Sequence, residues 1–516
     1  MIPWAVPTRE GLAVKRFLAC WVLLGACLFA APSLPVLADG PARPDTESFE
    51  IAQLDGLRVG VRRTTVWKHD PEGKQLRTSA MLELTLRRYG APVRLRREEG
   101  SVETPQGKVL AVYMRQGQSG GGKQMSLVGL VRKDVLEVKI DGGRLERKVT
   151  WPADAVGLAG QERMFADRKC KPGDRFTFRR YEPTYNAVLS VRVAVMDRAV
   201  VDVLGARTSL LRVEMTPEPL TAPGQSVQPP RAVWWLDENN LPVRRQVEVD
   251  GLGTLILTRT TREKALAPAG PTADVGTRSL VPLNRTIVRP YDTRLVVYKV
   301  TVLGEGDPRG LFASDSHQEV RAAEGKTFEL VVHPVRPADP AAGGPRAAPE
   351  YLATSRYIDH DHPRVRELAR KAVAGETDPW KKALRVERWV KGLMRTDNSA
   401  PLGPASEAAR TLRGDCRHHA LLTAALCRAA GVPARTAVGL LYVYRGGPKL
   451  GFHLWAEVYA GGAWRGVDST LGKGGVSAAH VKIADHSWDK VESLTPFLPV
   501  SRVIGKVRVE VVRVEK

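Results

Sequence analysis

Cysteine is scarce, with five in 516 residues. Two of these, Cys20 and Cys27, fall in an apolar N-terminal run, leaving Cys170, Cys416 and Cys427. An odd number spread so widely excludes a disulfide framework, so each cysteine needs its own explanation. Aromatic residues make up only 6% of the chain. Lys and Arg number 78 against 56 Asp and Glu, a net charge of +22, yet no compact basic block with interleaved aromatics is present. The footprint of a nucleic-acid reader is therefore missing, and the charge is dispersed. The chain also lacks internal repeats and long low-complexity tracts, which excludes solenoid and array architectures.

What is present begins with a targeting signal. Lys15 and Arg16 precede FLACWVLLGACLFAA, then PSLPVLA and Asp39. Basic, apolar and small residues in that order predict a secretory signal over residues 1–38, cleaved after Ala38. The run is shorter than the ~20 residues of a membrane span, so an uncleaved anchor is a minority reading, as is lipid attachment at Cys27 of LGAC. A periplasmic or secreted protein meets little nucleic acid. Anionic envelope polymers, lipid head groups or acidic proteins suit its charge better, and a solvated basic surface is the plainest account of it.

With 43% hydrophobic residues, the length predicts two to four domains. From 46 to 265 the pattern is strand after strand, including LRVGVRRTTVW, SAMLELTLRRY, VLEVKI, LSVRVAVM, AVWWL and PVRRQVEV. Gly, Pro, Asn and Asp punctuate them, as in TPQGK and DENNLP. This predicts an antiparallel β region, readable as two halves meeting near WPADAVGLAG. The stretch WWLDENNLPVRRQVEVDG resembles the half-barrel of bacterial lipoprotein carriers, which implies a cavity for lipophilic cargo within 46–265. RLVVYKVTVLG and TFELVVHPV mark a small β domain or extension over 275–336, and the Pro/Ala/Gly-rich residues 337–349 read as a linker.

Helices are expected only after it. Pro363 opens one with Val365, Leu368, Ala369 and Ala372 at helical spacing; Asp378 and Pro379 cap and start another. GDCRHHALLTAALCRAAGVPAR predicts a third, with Cys416 in its first turn and Gly431 and Pro433 ending it. Strands follow in TAVGLLYVY, FHLWAEVY, AWRGVDST and VRVEVVRV, giving an α+β unit over 350–516.

The first turn of a helix presents N–H groups without internal partners and a positive potential, both of which favour thiolate over thiol. The same N–H groups can bind the oxyanion formed when a carbonyl is attacked. Cys427 lies about 16 Å further along the same face and reads as a core residue. A hairpin turning about Gly461 and Gly462 sets Trp455 opposite Asp468 and His453 opposite Thr470. His453 and Asp468 are then diagonal neighbours on one face, about 7 Å apart between α-carbons, within reach of a hydrogen bond. His418 and His419 offer potential metal ligands beside Cys416, but zinc requires three or four and Cys427 is too distant, so no metal and no cofactor are expected. His360, Asp361 and His362 read as a polar loop, and Asp415 as a helix cap.

In the order Cys, His, Asp, the pieces GDCRHHALLTAALCRAAGVPARTAVGL, FHLWAEVY and WRGVDST closely resemble the transglutaminase-like superfamily of papain-like thiol enzymes. The resemblance covers roughly 350–512. It implies Cys416 as nucleophile, His453 as general base and acid, and Asp468 as the carboxylate that orients it, with Trp455 walling the pair from water. A second oxyanion donor is implied upstream of the cysteine, for which Asn398 is the candidate. The implied chemistry is acyl transfer on protein or peptide amides, envelope peptides among them, by a protease or amidase. A cross-linking transglutaminase is the alternative, although no DxDxDG calcium loop is present. A non-catalytic envelope-binding scaffold and a carrier of lipophilic cargo stand beside these.

Overall fold

Hairpin after hairpin, the alternating strands pair in the order in which they occur. The computed structural model describes residues 44–516, apart from 68–74, 119–123, 144, 223–224, 250–252, 269, 271, 304–309, 335–345 and 490–494. The predicted signal peptide and most of the predicted linker lie outside the described residues.

Among the described residues, fifteen strands form one sheet that grows in two directions from Thr46–Leu54. On one side come Leu57–Trp67, Leu76–Arg88, Ala91–Glu103, Val109–Gln118, Met125–Arg132, Val135–Ile140 and Leu145–Thr150. On the other, Gly253–Thr260 pairs with the first strand, Phe49 facing Thr260, and the order runs back outward to Arg175–Glu182. The first and last long strands thus close the middle of the sheet. A single parallel pair, Ala155–Val156 against Arg179 and Arg180, ends it.

Where the two directions of growth separate, the chain forms a helix, Leu158–Arg168, within the stretch read as wholly β. Its N-cap is Gly157, which supplies no side-chain acceptor. The caps come from a distant strand: Ser101 Oγ accepts from Leu158 N, and the Glu103 carboxylate accepts from Ala159 N and Gly160 N. Phe165 of this helix is fully buried against Trp234, with ring centroids 5.6 Å apart. Burial of such a side chain contributes ~1.5–3 kcal/mol.

The C-terminal unit packs helices Pro363–Val373, Pro379–Leu393 and Ala405–Thr411 around the helix Cys416–Ala429. Every residue from His418 to Arg428 of that central helix is buried. Its sheet comprises Ala434–Tyr444, Pro448–Ala460, Ala463–Val467 and His480–His486, with Val281–Pro282 at one edge. The segment read as a small β domain shares one apolar core with this sheet, through Tyr298, Phe328 and Leu330 against Leu440, Leu450 and Val481. The last strand, Val507–Glu515, follows these strands in sequence but lies outside their sheet. It pairs instead with Leu295–Val302, joining Gln318–Glu324 and Thr327–Val332 in a separate four-stranded sheet. Among the described residues, no helix is long and apolar enough to cross a membrane.

Candidate active site

Asp415 caps the cysteine helix by accepting from Arg417 N at 3.1 Å, and its own N–H donates to His418 Nδ1 at 3.2 Å. His418 therefore carries its proton on Nε2, which donates to the carbonyl of Pro401 at 2.8 Å. Gly414 makes this closure possible, since a Cβ there would lie 2.4 Å from His418 Cβ. The Arg417 guanidinium and the Arg88 guanidinium 3.0 Å away hold the Asp415 carboxyl far below the usual carboxylate range, despite the opposing cost of burial. Of the first-turn N–H groups, those of Arg417, His418 and His419 are all taken by Asp415. Among the described residues, the Cys416 N–H is given no such partner.

The hairpin register is as the turn at Gly461 and Gly462 predicts, with Ala460 facing Ala463 and Ala456 facing Val467. The ladder stops at Val467, and Asp468 leaves the strand while keeping its side chain on the His453 face. His453 Nε2 donates to Asp468 Oδ2 at 2.8 Å. The ring also interacts with Cys416, and Nδ1 is the nitrogen that Asp468 leaves for it. Burial alone would depress the imidazole, but the Asp468 charge, its hydrogen bond and the contact with Cys416 outweigh it and push the ring up to about 10. Trp455 is buried beside the pair, nearly parallel to the His453 ring at 6.3 Å. Sulfur, imidazole and carboxylate thus form one row.

Two supports of this row lie outside the residues picked from sequence. His480 Nδ1 accepts from Ser477 N at 3.2 Å, so its proton sits on Nε2 and donates to Asp468 Oδ2 at 3.2 Å. The cluster of His453, Asp468 and His480 is compact enough to suggest a metal site. The protonated Nε2 of His480 has no lone pair to offer, however, and the shared oxygen of Asp468 already accepts twice. The second support is Glu387, buried on the helix Pro379–Leu393. Its carboxylate accepts from Asp468 N at 3.0 Å, Gly474 N at 2.9 Å and Gly475 N at 3.1 Å. Burial pushes Glu387 up to about 7 against the pull of these donors. Replacing it with alanine strands three N–H groups. Glu387→Ala is expected to lower stability by ~2–4 kcal/mol in denaturant titration and to slow turnover by letting Asp468 drift.

The other candidates have local tasks. His419 Nδ1 donates to the carbonyl of Ser469 at 3.1 Å, and Ser469 Oγ meets Thr423 Oγ1 at 2.6 Å, pinning the cysteine helix to the Asp468 loop. These contacts use Nδ1 of His419, whereas those of His418 use both of its ring nitrogens. Cys427 and Cys170 are buried free thiols, and burial pushes Cys427 up to about 12. His362 caps its helix by accepting from Arg364 N, and Asp361 accepts from Thr354 Oγ1. Asn398 lines the same cleft as Cys416, and its carbonyl accepts from Arg88 Nη2.

That contact shows a further participant. Arg88 and Tyr89 form the tip of a hairpin from the large N-terminal sheet, held by Asp274, whose carboxylate accepts from the N–H groups of Tyr89 and Gly90. Arg88 Nη2 lies 3.0 Å from Asp415 Oδ2, and Arg445 lies over the Tyr89 ring at 4.9 Å. Tyr89 is pushed up to about 12 by burial and by the sulfur. Nothing local in RRYGAP signals this, because the contact joins positions 310 residues apart in the chain.

A thiol at a helix N-terminus, paired with an imidazole that a carboxylate orients, defines the thiol-enzyme class of acyl-transfer sites. The match to a family model agrees with that class. Residues 366–469, which contain Cys416, His453 and Asp468, match the model of the transglutaminase-like superfamily. Among solved structures, a candidate cysteine protease from Cytophaga hutchinsonii is similar at 16% identity, over 43% of this chain and 89% of its own, with a TM-score of 0.28. A β-barrel-like protein of a domain family of unknown function from Brucella abortus is similar at 10% identity, over 42% of this chain and 95% of its own, with a TM-score of 0.32. A candidate protease from Parabacteroides distasonis matches at 10% identity, over 73% of this chain and 68% of its own, with a TM-score of 0.18. No protein of curated function matches the sequence.

Proposed function

We propose that the protein is an exported thiol amidase or protease in which Cys416, His453 and Asp468 carry out acyl transfer. The observation that carries this reading is the row itself: Nε2 of His453 is held by Asp468 at 2.8 Å while the other side of the ring meets the sulfur. The Cys416 thiolate attacks an amide carbonyl, and the oxyanion is received by the Cys416 N–H and the Asn398 carboxamide. As the C–N bond breaks, the His453 imidazolium gives its proton to the leaving amine. Water then attacks the thioester with His453 as base, releasing the acid and restoring the thiol. A lysine amine in place of water would yield a cross-link, and the absence of a DxDxDG loop favours water. Export rests on the N-terminal signal pattern, and envelope peptides are the substrates that such a location would supply.

Alkylation tests the reading first. Iodoacetamide near neutral pH is expected to modify Cys416 and to leave Cys427 untouched, with the Cys416 rate falling in His453→Ala. Equal, sluggish modification of both thiols in peptide mapping would remove the enzyme. The protein and Cys416→Ala are then incubated with envelope peptides and proteins, and mass spectrometry scores cleavage against cross-links. Cleavage is expected, and only with the intact thiol.

A further inference from the structure

The face of the N-terminal sheet and the catalytic unit enclose a cleft of about 850 Å³, lined by Cys416 and His453 together with residues of both parts. A cavity within 46–265 alone was the sequence expectation for a cargo carrier; this one belongs instead to the catalytic site. Its floor is a stripe of one sheet face. Leu82, Leu84, Leu86 and Arg88 alternate along one strand, and the register sets Leu86 against Val93, Leu84 against Leu95 and Leu82 against Arg97. The stripe ends at Arg88, which pairs with Asp415 beside the sulfur. The six steps from Leu82 to Arg88 span about 20 Å at the usual strand rise. Phe452, Phe497 and Ile504 line the cleft from the catalytic unit. Leu86 and Val93, nearest the sulfur, are buried, Leu82 and Leu84 are half-buried, and Leu95, which lines the cleft, is 39% exposed, so the stripe opens toward its far end.

A bound peptide needs partners for its N–H and C=O groups, and the four leucines and the valine between Arg88 and Arg97 have none to give. From Leu82 to Leu84 and from Leu95 to Arg97 both strands have neighbours on either side that take their backbone groups, while Leu86 and Val93, nearer the sulfur, are paired only with each other. Only side chains face the ligand. A hydrocarbon chain has no polar groups to satisfy and gains roughly fourfold in affinity for each CH2 it buries. Resting on the thiol-enzyme reading above, we infer that the acyl group transferred to Cys416 is a long unbranched fatty acyl chain, amide-linked in the substrate and laid along the Leu82–Leu95 stripe. The C–N bond breaks as in the scheme above, the amine leaves with the proton of His453, and water releases the free fatty acid.

The test measures kcat/KM for acetyl, hexanoyl and dodecanoyl amides of one chromogenic amine. A rise on the order of a hundredfold or more from the acetyl to the dodecanoyl amide is expected. Leu95→Glu, at a half-exposed site and with an unchanged melting midpoint, is expected to cut the dodecanoyl-to-acetyl ratio by roughly tenfold or more. Placing the same dodecanoyl group on a small amine and on a peptide N-terminus distinguishes a lipid amide from an acylated protein as its source. A flat chain-length series would overturn the inference and leave the thiol enzyme standing, as would failure to cleave any acyl amide while Cys416 still reacts with iodoacetamide. Failure of cleavage together with an unreactive Cys416 would overturn both.

Discussion

Asp468→Asn is expected to lower kcat/KM on any amide substrate by on the order of 10²–10⁴, and to move the alkaline limb of the pH profile downward. The carboxylate does two things in the native site. It receives the His453 Nε2 proton, which directs Nδ1 at the sulfur, and its charge keeps the ring cationic up to about 10. The leaving amine needs that imidazolium, so activity should persist into the alkaline range and fall as the ring loses its proton near pH 10. Asparagine preserves the shape of the site and removes the charge. The imidazole then returns toward its ordinary value near 6.5, and the limb falls with it. Linkage has the same sign. A histidine raised on folding stabilises the protein fully below its unfolded value, and that contribution disappears as pH climbs through about 10. Asp468 is held far below the ordinary carboxylate range, so its contribution is present above the unfolded value and lost only in strong acid. The variant should therefore lose stability across the neutral range as well as activity. An alkaline limb that stays in place would show that the Asp468 charge does not set the His453 proton.

Cys416, His453 and Asp468 are legible in the sequence because each rests on a local rule: a cap before a helix, a two-glycine turn and the alternation of strands. Glu387 left a faint signal, an acid on the stripe formed by Ala383, Val386 and Val390, all of them buried. An ionisable group on an apolar face implies a partner, but the partners are backbone N–H groups of a loop some eighty residues later, which no residue type announces. The strand Ala91–Glu103 is dense in Arg and Glu, and so hides the alternation that betrays a strand elsewhere. The helix Leu158–Arg168 takes its caps from Ser101 and Glu103, so its own sequence carries no start signal. Arg88 and the cleft depend on the docking of one sheet face against a distant unit. That information is spread over hundreds of residues, and local periodicity cannot register it.

Lys482→Met is expected to cost ~3–5 kcal/mol of stability, read as a lower denaturation midpoint. Lys482 is fully buried on the strand His480–His486, and its ammonium lies 2.6 Å from Asp315, 2.9 Å from Glu457 and 2.9 Å from Asp485. Arg435 also contacts Glu457 and Asp485, each at 2.7 Å. Two cations thus balance three carboxylates, and methionine fills the space while leaving one cation for all three. Burial would depress the lysine, but the carboxylates raise it above its ordinary range. The stabilisation is therefore complete below the unfolded value near 10.4 and is lost only as pH climbs through the higher folded value. The deficit of the variant should accordingly hold steady through neutral pH and vanish in strong alkali. Asp315→Asn should cost less in the Lys482→Met background than alone, because its partner has gone. The same strand carries His480 to Asp468, so the variant should also lose turnover before it unfolds. A midpoint within ~0.5 kcal/mol of the parent would mean that this network contributes nothing to holding the strand in place.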